Sequence, residues 1–264
     1  MNRVDRLFKT LRAKHKTALM PFLVAGDPTL VHTRDLIAAL EQAGADMVEL
    51  GVPFSDPIAD GPTIQAAGQR AIASGTTLQA VLDMLKALRK EVRLPIVLMC
   101  YYNLLYQYPM EAFAEQAAEA GIDGVIVPDL PPEEAGPWRR TALRAGLHTI
   151  FLVTPTTPAD RVKKIDALSK GFLYYVSVTG VTGARAELPR DLALVLDRTR
   201  NEVRNPLAVG FGIGTPTQVA ALAPHADGII VGSALVKVIE QYQNSSTLVD
   251  QVRGFIEDLK RPLL

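Results

Sequence analysis

The sequence predicts an α/β protein in which eight parallel strands close into a barrel surrounded by helices. Short apolar runs recur along all 264 residues, and each is followed by a loop and a longer segment with helical periodicity. The runs are almost continuously apolar, which indicates strands that are buried on both faces, as in a parallel sheet. An open doubly wound sheet is the competing arrangement, but residues 24–29, VAGDPT, lack the glycine pattern that follows its first strand.

The apolar runs place the eight strands at residues 18–25, 47–51, 96–100, 124–127, 149–153, 172–177, 207–210 and 228–231. Apolar residues three or four positions apart predict helices at residues 33–43, 110–120, 133–145 and 216–223. Gly44, Gly121 and Gly146 follow three of these helices, where a left-handed C-cap favours glycine. Further helices are predicted at residues 1–16 and 247–259. Residues 1–264 are therefore expected to form a single (β/α)8 TIM-barrel domain with extra helices at both ends.

The composition argues against several classes of function. The 28 Lys and Arg residues balance 28 Asp and Glu residues, so no overall field attracts nucleic acid or an anionic membrane surface. The one cysteine, Cys100, has no partner for an internal disulfide, which suits a reducing compartment. No stretch of about 18 uncharged apolar residues is present, and the amphipathic N-terminus differs from a signal peptide. We therefore expect a cytoplasmic protein that binds neither nucleic acid nor membranes.

Candidate acid/base groups lie in and after the second predicted strand, at the barrel end where such folds place their chemistry. Glu49 is a lone carboxylate in an apolar strand, where desolvation would raise its pKa and suit it to proton transfer. A structural, hydrogen-bonded glutamate is the alternative. The next loop, residues 53–62, carries Asp56 and Asp60 among three prolines, which stiffen the loop and can aim a carboxylate. Ordinary turn or capping aspartates would show the same pattern.

Residues 48–65, VELGVPFSDPIADGPTIQ, resemble the signature of the tryptophan synthase alpha subunit family. Residues 21–28, 180–185 and 210–213 are similar to further segments of that family, so the resemblance covers essentially the whole barrel. It implies a lyase that cleaves indole-3-glycerol phosphate to indole and glyceraldehyde-3-phosphate by a retro-aldol reaction. It also implies that Glu49 is the main acid/base group, that Asp60 holds the indole N–H, and that no metal or organic cofactor is required. The four histidines agree with this, because they are scattered without metal-ligand spacing.

Two glycine-containing loops follow the last two predicted strands and lead into helices, where barrels commonly bind phosphate. Glycine lets backbone N–H groups approach an anion, and a helix N-terminus adds its positive dipole. The resemblance assigns phosphate binding to Gly183, Gly212, Gly232 and Ser233. Thr182 matches a threonine of a mobile loop in the family, although residues 177–179, SVT, lack an arginine that some members carry there. The indole slot is assigned to Phe22, Met99, Ile126, Tyr174 and Phe211. Simple core packing is the alternative for each of these apolar residues.

The resemblance further implies a partner, a pyridoxal-phosphate-dependent beta subunit, in an alpha2-beta2 heterotetramer. Several rim residues have no step in the cleavage chemistry and are therefore candidates for this contact: Pro53, Asp56, Asn103, Asp129, Pro131 and Pro132. Rigid proline-containing loops lose less entropy on docking, but turn residues without a binding role would look the same.

Three rival functions remain open at this point. One is a free-standing indole-3-glycerol-phosphate lyase, and another is a barrel that regulates a partner and has little activity of its own. A third is a different phosphate-binding barrel, such as an isomerase or an indole-glycerol-phosphate synthase. No predicted strand ends in the lysine that would favour the synthase or a Schiff-base aldolase.

Overall fold

The computed structural model describes residues 1–177, 191–210 and 212–264, and its strands form one parallel sheet. The strands are β1 (Ala18–Val24), β2 (Val48–Gly51), β3 (Ile96–Met99), β4 (Gly124–Ile126), β5 (His148–Ile150), β6 (Leu152–Val153), β7 (Leu173–Val176), β8 (Leu207–Gly210) and β9 (Gly228–Val231). Their order is β5-β4-β3-β2-β1-β9-β8-β7-β6. The two ends of this order, β5 and β6, are consecutive in the chain, so the sheet curls into the predicted barrel.

The fifth predicted strand is divided in two at Phe151. The Phe151 N–H donates to Ser169 Oγ at 3.3 Å and not to a neighbouring strand, while its carbonyl accepts from Tyr174 N at 3.0 Å. β5 pairs with β4 on one side of this break, and β6 pairs with β7 on the other. The same predicted strand therefore supplies both edges at the closure of the barrel.

Helices follow the strands and cover the sheet. They are α1 (Arg3–Ala13), α2 (Leu30–Gln42), α3 (Pro62–Ala73), α4 (Leu78–Leu88), α5 (Tyr102–Tyr106), α6 (Met110–Glu119), α7 (Gly136–Arg144), α8 (Ala159–Leu168), α9 (Leu192–Glu202), α10 (Pro216–Leu222), α11 (Ser233–Tyr242) and α12 (Leu248–Lys260). The predicted C-cap glycines, Gly44, Gly121 and Gly146, have φ values of 86°, 80° and 81°, which confirms the left-handed conformation. Among the residues that the structure describes, no helix is long and apolar enough to cross a membrane.

The apolar side chains form an inner and an outer core, because residues along each strand alternate between the two faces. On β1, Met20 and Phe22 belong to the inner cluster, whereas Leu19 and Leu23 pack in the outer one. The apolar face of α1, including Phe8, joins the inner cluster and packs close to the start of β9. Helix α1 thus closes the N-terminal end of the barrel, so a ligand must enter from the carboxyl ends of the strands.

An ion-pair cluster ties together the elements that flank the open end. Arg70 on α3 binds both carboxylate oxygens of Asp27, at 2.8 and 2.9 Å, and also contacts Glu240 on α11 at 3.0 Å. Asp27 lies in the loop after β1 and is only 1% exposed. Helix α3 follows the loop that carries Asp60, and α11 begins at Ser233. Arg70 therefore fixes the candidate acid/base loop relative to a candidate phosphate loop.

Candidate active site

Glu49 is a buried carboxylic acid on the inner face of the barrel. It lies on β2 beside Phe22 of β1 and is 1% exposed. Its Oε2 atom has no hydrogen-bond partner in the part of the chain that the structure describes. Burial, and then the negative charge of Asp60, raise the Glu49 pKa to about 8. A structural glutamate would be hydrogen-bonded, whereas this one is protonated at neutral pH and has an oxygen left for a reacting group.

Asp60 is the second carboxyl of the site and stands at the end of the loop after β2. It is 9% exposed, and burial raises its pKa to about 6 against the opposing effect of a hydrogen bond from Tyr101. The loop is internally bonded: Asp60 N donates to Pro57 O at 3.1 Å, and Gln65 Nε2 donates to Asp60 O at 2.8 Å. At neutral pH Asp60 is mostly ionised while Glu49 is mostly protonated, so the two carboxyls can take different roles.

Glu49 and Asp60 face one cavity at the carboxyl ends of the strands. The cavity contains about 580 Å³ of space between protein atoms, including its open mouth. Its lining is Phe22, Glu49, Ala59, Asp60, Ile64, Met99, Pro128, Leu152, Tyr174, Gly212, Ile230, Gly232 and Ser233. Apolar side chains dominate this set, and no lysine or arginine occurs among these lining residues. The cavity suits a flat aromatic group that lies next to the two carboxyl groups.

The glycine-containing side of the cavity can bind an anion through its backbone. Gly212 has a φ of 81°, which favours glycine, and Gly232 directly precedes the first turn of α11, where Ser233 begins the helix. The N–H groups of a first helical turn are free to bind an anion, and the helix dipole adds positive potential. This combination can bind an anionic group such as a phosphate without a cationic side chain. The other predicted phosphate residue, Gly183, lies outside the described residues, as do Thr182 and Phe211.

Tyr174 lies across the cavity from the carboxyl loop, on β7. It is 5% exposed, and burial together with the charges of Glu49 and Asp60 raises its pKa. Gly210 on β8 makes room for it, because a Cβ atom there would lie 2.6 Å from the Tyr174 hydroxyl oxygen. The neighbouring Tyr175 belongs to the outer core, whereas Tyr174 lines the cavity.

Most of the sequence-predicted binding residues meet at this cavity, but Ile126 does not line it. Ile126 is fully buried in the inner core instead. Five lining residues were missed by the sequence analysis: Ala59, Ile64, Pro128, Leu152 and Ile230. Strand alternation identifies Leu152 and Ile230 as inward-facing once the register is known. Among the described residues, no group of three His, Cys, Asp or Glu is placed to hold a metal ion.

The predicted partner residues occupy the rim beside the cavity. Loops after the adjacent strands β2, β3 and β4 carry them, so they form neighbouring parts of one face. Asp56 and Asn103 are exposed, whereas Asp129 Oδ1 accepts a 2.8 Å hydrogen bond from Tyr102 N and also orders the start of α5. Two large exposed apolar side chains were not predicted from the sequence: Ile58, 81% exposed in the loop after β2, and Tyr106, 77% exposed at the end of α5.

Comparison with known proteins gives a consistent result. The family model described as "Tryptophan synthase alpha chain" matches residues 8–262. The chain is similar to the tryptophan synthase alpha chain of Geobacter sp. (strain M21), at 50% identity over 264 residues, covering 100% of this chain and 98% of that protein. Among solved structures it is similar to tryptophan synthase subunit alpha from Legionella pneumophila str. Paris, with a TM-score of 0.93, 40% identity and coverage of 100% and 98%. A tryptophan synthase complex from Pyrococcus furiosus has a similar chain, with a TM-score of 0.86, 38% identity and coverage of 92% and 98%.

Proposed function

This chain belongs to the tryptophan synthase alpha chain family, and from that premise we propose how its residues carry out the reaction. It is a lyase of tryptophan biosynthesis that converts indole-3-glycerol phosphate to indole and glyceraldehyde-3-phosphate. The proposal rests on one observation, that two buried carboxyl groups, Glu49 and Asp60, face the same apolar cavity. We further propose that residues 1–264 act as one catalytic domain.

The proton transfers fall to Glu49. In its protonated form it donates a proton to C3 of the indole ring, which leaves positive charge on the indole nitrogen. Asp60 accepts a hydrogen bond from the indole N–H and stabilises this charge. Glu49, now a carboxylate, removes the proton of the adjacent glycerol hydroxyl as the carbon–carbon bond breaks. The bonding electrons return to the indole ring, the aldehyde forms, and Glu49 is protonated again, so these steps call for no metal or organic cofactor.

The phosphate is assigned to the backbone at the opposite side of the cavity. Gly212, Gly232 and Ser233 supply N–H groups there, and the dipole of α11 favours the negative charge. Thr182 and Gly183, which follow β7 in the sequence and lie outside the described residues, are assigned to the same site by their similarity to the family. Phosphate binding at this end holds the indole ring against Glu49 and Asp60, which positions C3 for protonation.

The two pKa values predict a bell-shaped pH dependence of kcat/KM. Activity should fall below about pH 6, because Asp60 becomes protonated, and above about pH 8, because Glu49 loses its proton. In Asp60→Asn, the residual activity should lack the acidic limb. Its alkaline limb should move to lower pH, because Asp60 no longer raises the Glu49 pKa. Steady-state indole release from pH 5 to 9 measures both limbs, and a flat profile across this range would exclude the assignment.

We also propose that the rim binds a tryptophan synthase beta subunit, which carries the pyridoxal phosphate, in an alpha2-beta2 heterotetramer located in the cytoplasm. The contact residues would be Pro53, Asp56, Asn103, Asp129, Pro131 and Pro132. The exposed apolar side chains of Ile58 and Tyr106 support a partner at this face, because large exposed apolar groups mark interaction sites when they cluster. A beta subunit bound there would contact the loop that carries Asp60.

Asp56→Ala tests the partner face without touching the proton transfers. The variant should retain the activity of the isolated chain and lose a large part of the stimulation by the beta subunit. Asp83→Ala is the matched control, since Asp83 is an exposed aspartate on α4, on the outside of the barrel. Indole release is measured for each protein alone and with saturating beta subunit. Equal stimulation of both variants removes Asp56 from the interface, and no stimulation of the wild type favours a free-standing lyase.

A further inference from the structure

Tyr101 contacts the acid/base loop through both its ring and its hydroxyl. It follows β3, is 2% exposed, and stacks on Phe54 with ring centroids 5.3 Å apart. Its hydroxyl oxygen accepts a hydrogen bond from Ala59 N at 3.0 Å, and the hydroxyl donates to Asp60 Oδ2 at 3.0 Å. Phe54, Ala59 and Asp60 all belong to the loop after β2. One side chain from the neighbouring strand therefore fixes three points of this loop.

The direction of these hydrogen bonds is determined by their partners. The Ala59 N–H can only donate, so it occupies a lone pair of the Tyr101 oxygen. The single hydroxyl proton is then committed to Asp60. A carboxylate that receives a hydrogen bond is stabilised in its ionised form. The bond uses one acceptor position of Oδ2, so the carboxylate keeps others, including those of Oδ1, for an indole N–H.

We infer that Tyr101 is a positioning residue for the cleavage reaction, whose hydroxyl holds Asp60 as a carboxylate aimed at the indole nitrogen. This inference rests on the role proposed for Asp60 above. Packing alone does not explain the hydroxyl, since phenylalanine would preserve the stacking on Phe54 without a polar group to bury. The Asp60 pKa agrees with the geometry, because burial raises it and the Tyr101 hydrogen bond opposes that increase.

The other titratable groups around Tyr101 and Asp60 are unchanged in the variants of Tyr101. Glu49 faces Asp60 from β2, Tyr174 does so from β7, and Asp129 acts on Tyr101 from the loop after β4. The pKa of Tyr174 is raised, so this group remains neutral through the range of the assay. Ionisation of Glu49 determines only the alkaline limb of the pH profile of activity. A change confined to the acidic limb therefore reports on Asp60.

Tyr101→Phe is the decisive variant, with Tyr102→Phe as its matched control. Tyr102 is the next residue, and the centroid of its ring lies 6.3 Å from that of Tyr106. For Tyr101→Phe we expect kcat to fall about 10-fold, the scale for removing a group that orients another, with KM little changed. The acidic limb of the kcat profile should move to higher pH, and exchange of the Ala59 amide hydrogen should accelerate. Tyr102→Phe should show none of these changes.

Substitution of Tyr101 with 3,5-difluorotyrosine provides an independent test that keeps the ring and the hydroxyl. Its more acidic hydroxyl is a stronger donor, so the acidic limb should move to lower pH, in the opposite direction. A folded Tyr101→Phe protein with wild-type kcat and an unshifted acidic limb overturns the inference. If Tyr101→Phe does not fold, an unshifted limb in the difluorotyrosine protein overturns it equally. Asp60→Asn is assayed alongside: full activity there refutes the role of Asp60 itself, whereas a loss there beside an unaffected Tyr101→Phe refutes the role of Tyr101 alone.

Discussion

Glu49→Gln is expected to reduce the rate of indole release by about 100-fold or more, the scale of general acid/base catalysis. Glutamine keeps the size and hydrogen-bonding capacity of the side chain but cannot transfer a proton. The measurement is kcat/KM for cleavage of indole-3-glycerol phosphate by the purified chain. Glu257→Gln, at an exposed position on α12, is the matched control and should retain full activity. Near-normal indole release by folded Glu49→Gln would remove Glu49 from the mechanism.

The stability of Glu49→Gln shows whether a loss of activity reflects chemistry or unfolding. Burial raises the Glu49 pKa from 4.5 to about 8, so between these values the folded protein holds a proton that the unfolded chain releases. The wild type must therefore lose stability as the pH rises through this window. Glutamine does not titrate, so the stability of the variant relative to the wild type should increase by up to about 5 kcal/mol between pH 4.5 and pH 8, at about 1.4 kcal/mol per pKa unit. An inactive variant that is at least as stable as the wild type has lost the proton transfer and not its fold.

Arg70→Leu is expected to lower the free energy of unfolding by about 3 kcal/mol, the scale for removing one partner of a buried ion pair. Asp27 is 1% exposed and would remain without its bidentate partner. Arg34→Leu is the matched control, because Arg34 and Glu91 form a pair that is 47% and 54% exposed. That substitution should cost less than about 1 kcal/mol.

Urea denaturation at pH 7 compares the two arginine variants. Arg70 lowers the Asp27 pKa against the effect of burial, so its removal should raise that pKa further. The destabilisation should accordingly diminish as the pH falls and Asp27 takes up a proton, which relieves the unpaired charge. Equal losses for Arg70→Leu and Arg34→Leu would mean that the Asp27 cluster does not hold the two loops together.

The barrel could be predicted from the sequence because its strands are buried on both faces and appear as separate apolar runs. The division at Phe151 could not, since it depends on the Ser169 side chain, which lies 18 residues further along the chain. Some helices also begin earlier than predicted, because the residue that caps them lies outside the repeat of apolar residues. For example, α2 begins at Leu30, where the Thr29 side chain accepts a hydrogen bond from His32 N.

Residues of the site could be predicted where their residue type differs from that of their neighbours in the sequence. Glu49 is a charged group in an apolar strand, and Gly232 is a glycine between a strand and a helix. Tyr101 and Leu152, near strand ends, and Ile64, on α3, gave no such signal, because an apolar or aromatic residue looks the same in the sequence whether it fills a core or lines a cavity. Only the register of the closed barrel distinguishes these positions.

The proposed mechanism depends most on the protonation states of Glu49 and Asp60 in the free protein. Carboxyl 13C chemical shifts followed from pH 4 to 10 report this directly, with the Glu49 signal assigned by its absence from Glu49→Gln. The expected midpoints are about 8 for Glu49 and about 6 for Asp60. A Glu49 midpoint near 4.5, the ordinary value, would mean that the group is ionised at neutral pH and cannot begin the reaction as the acid.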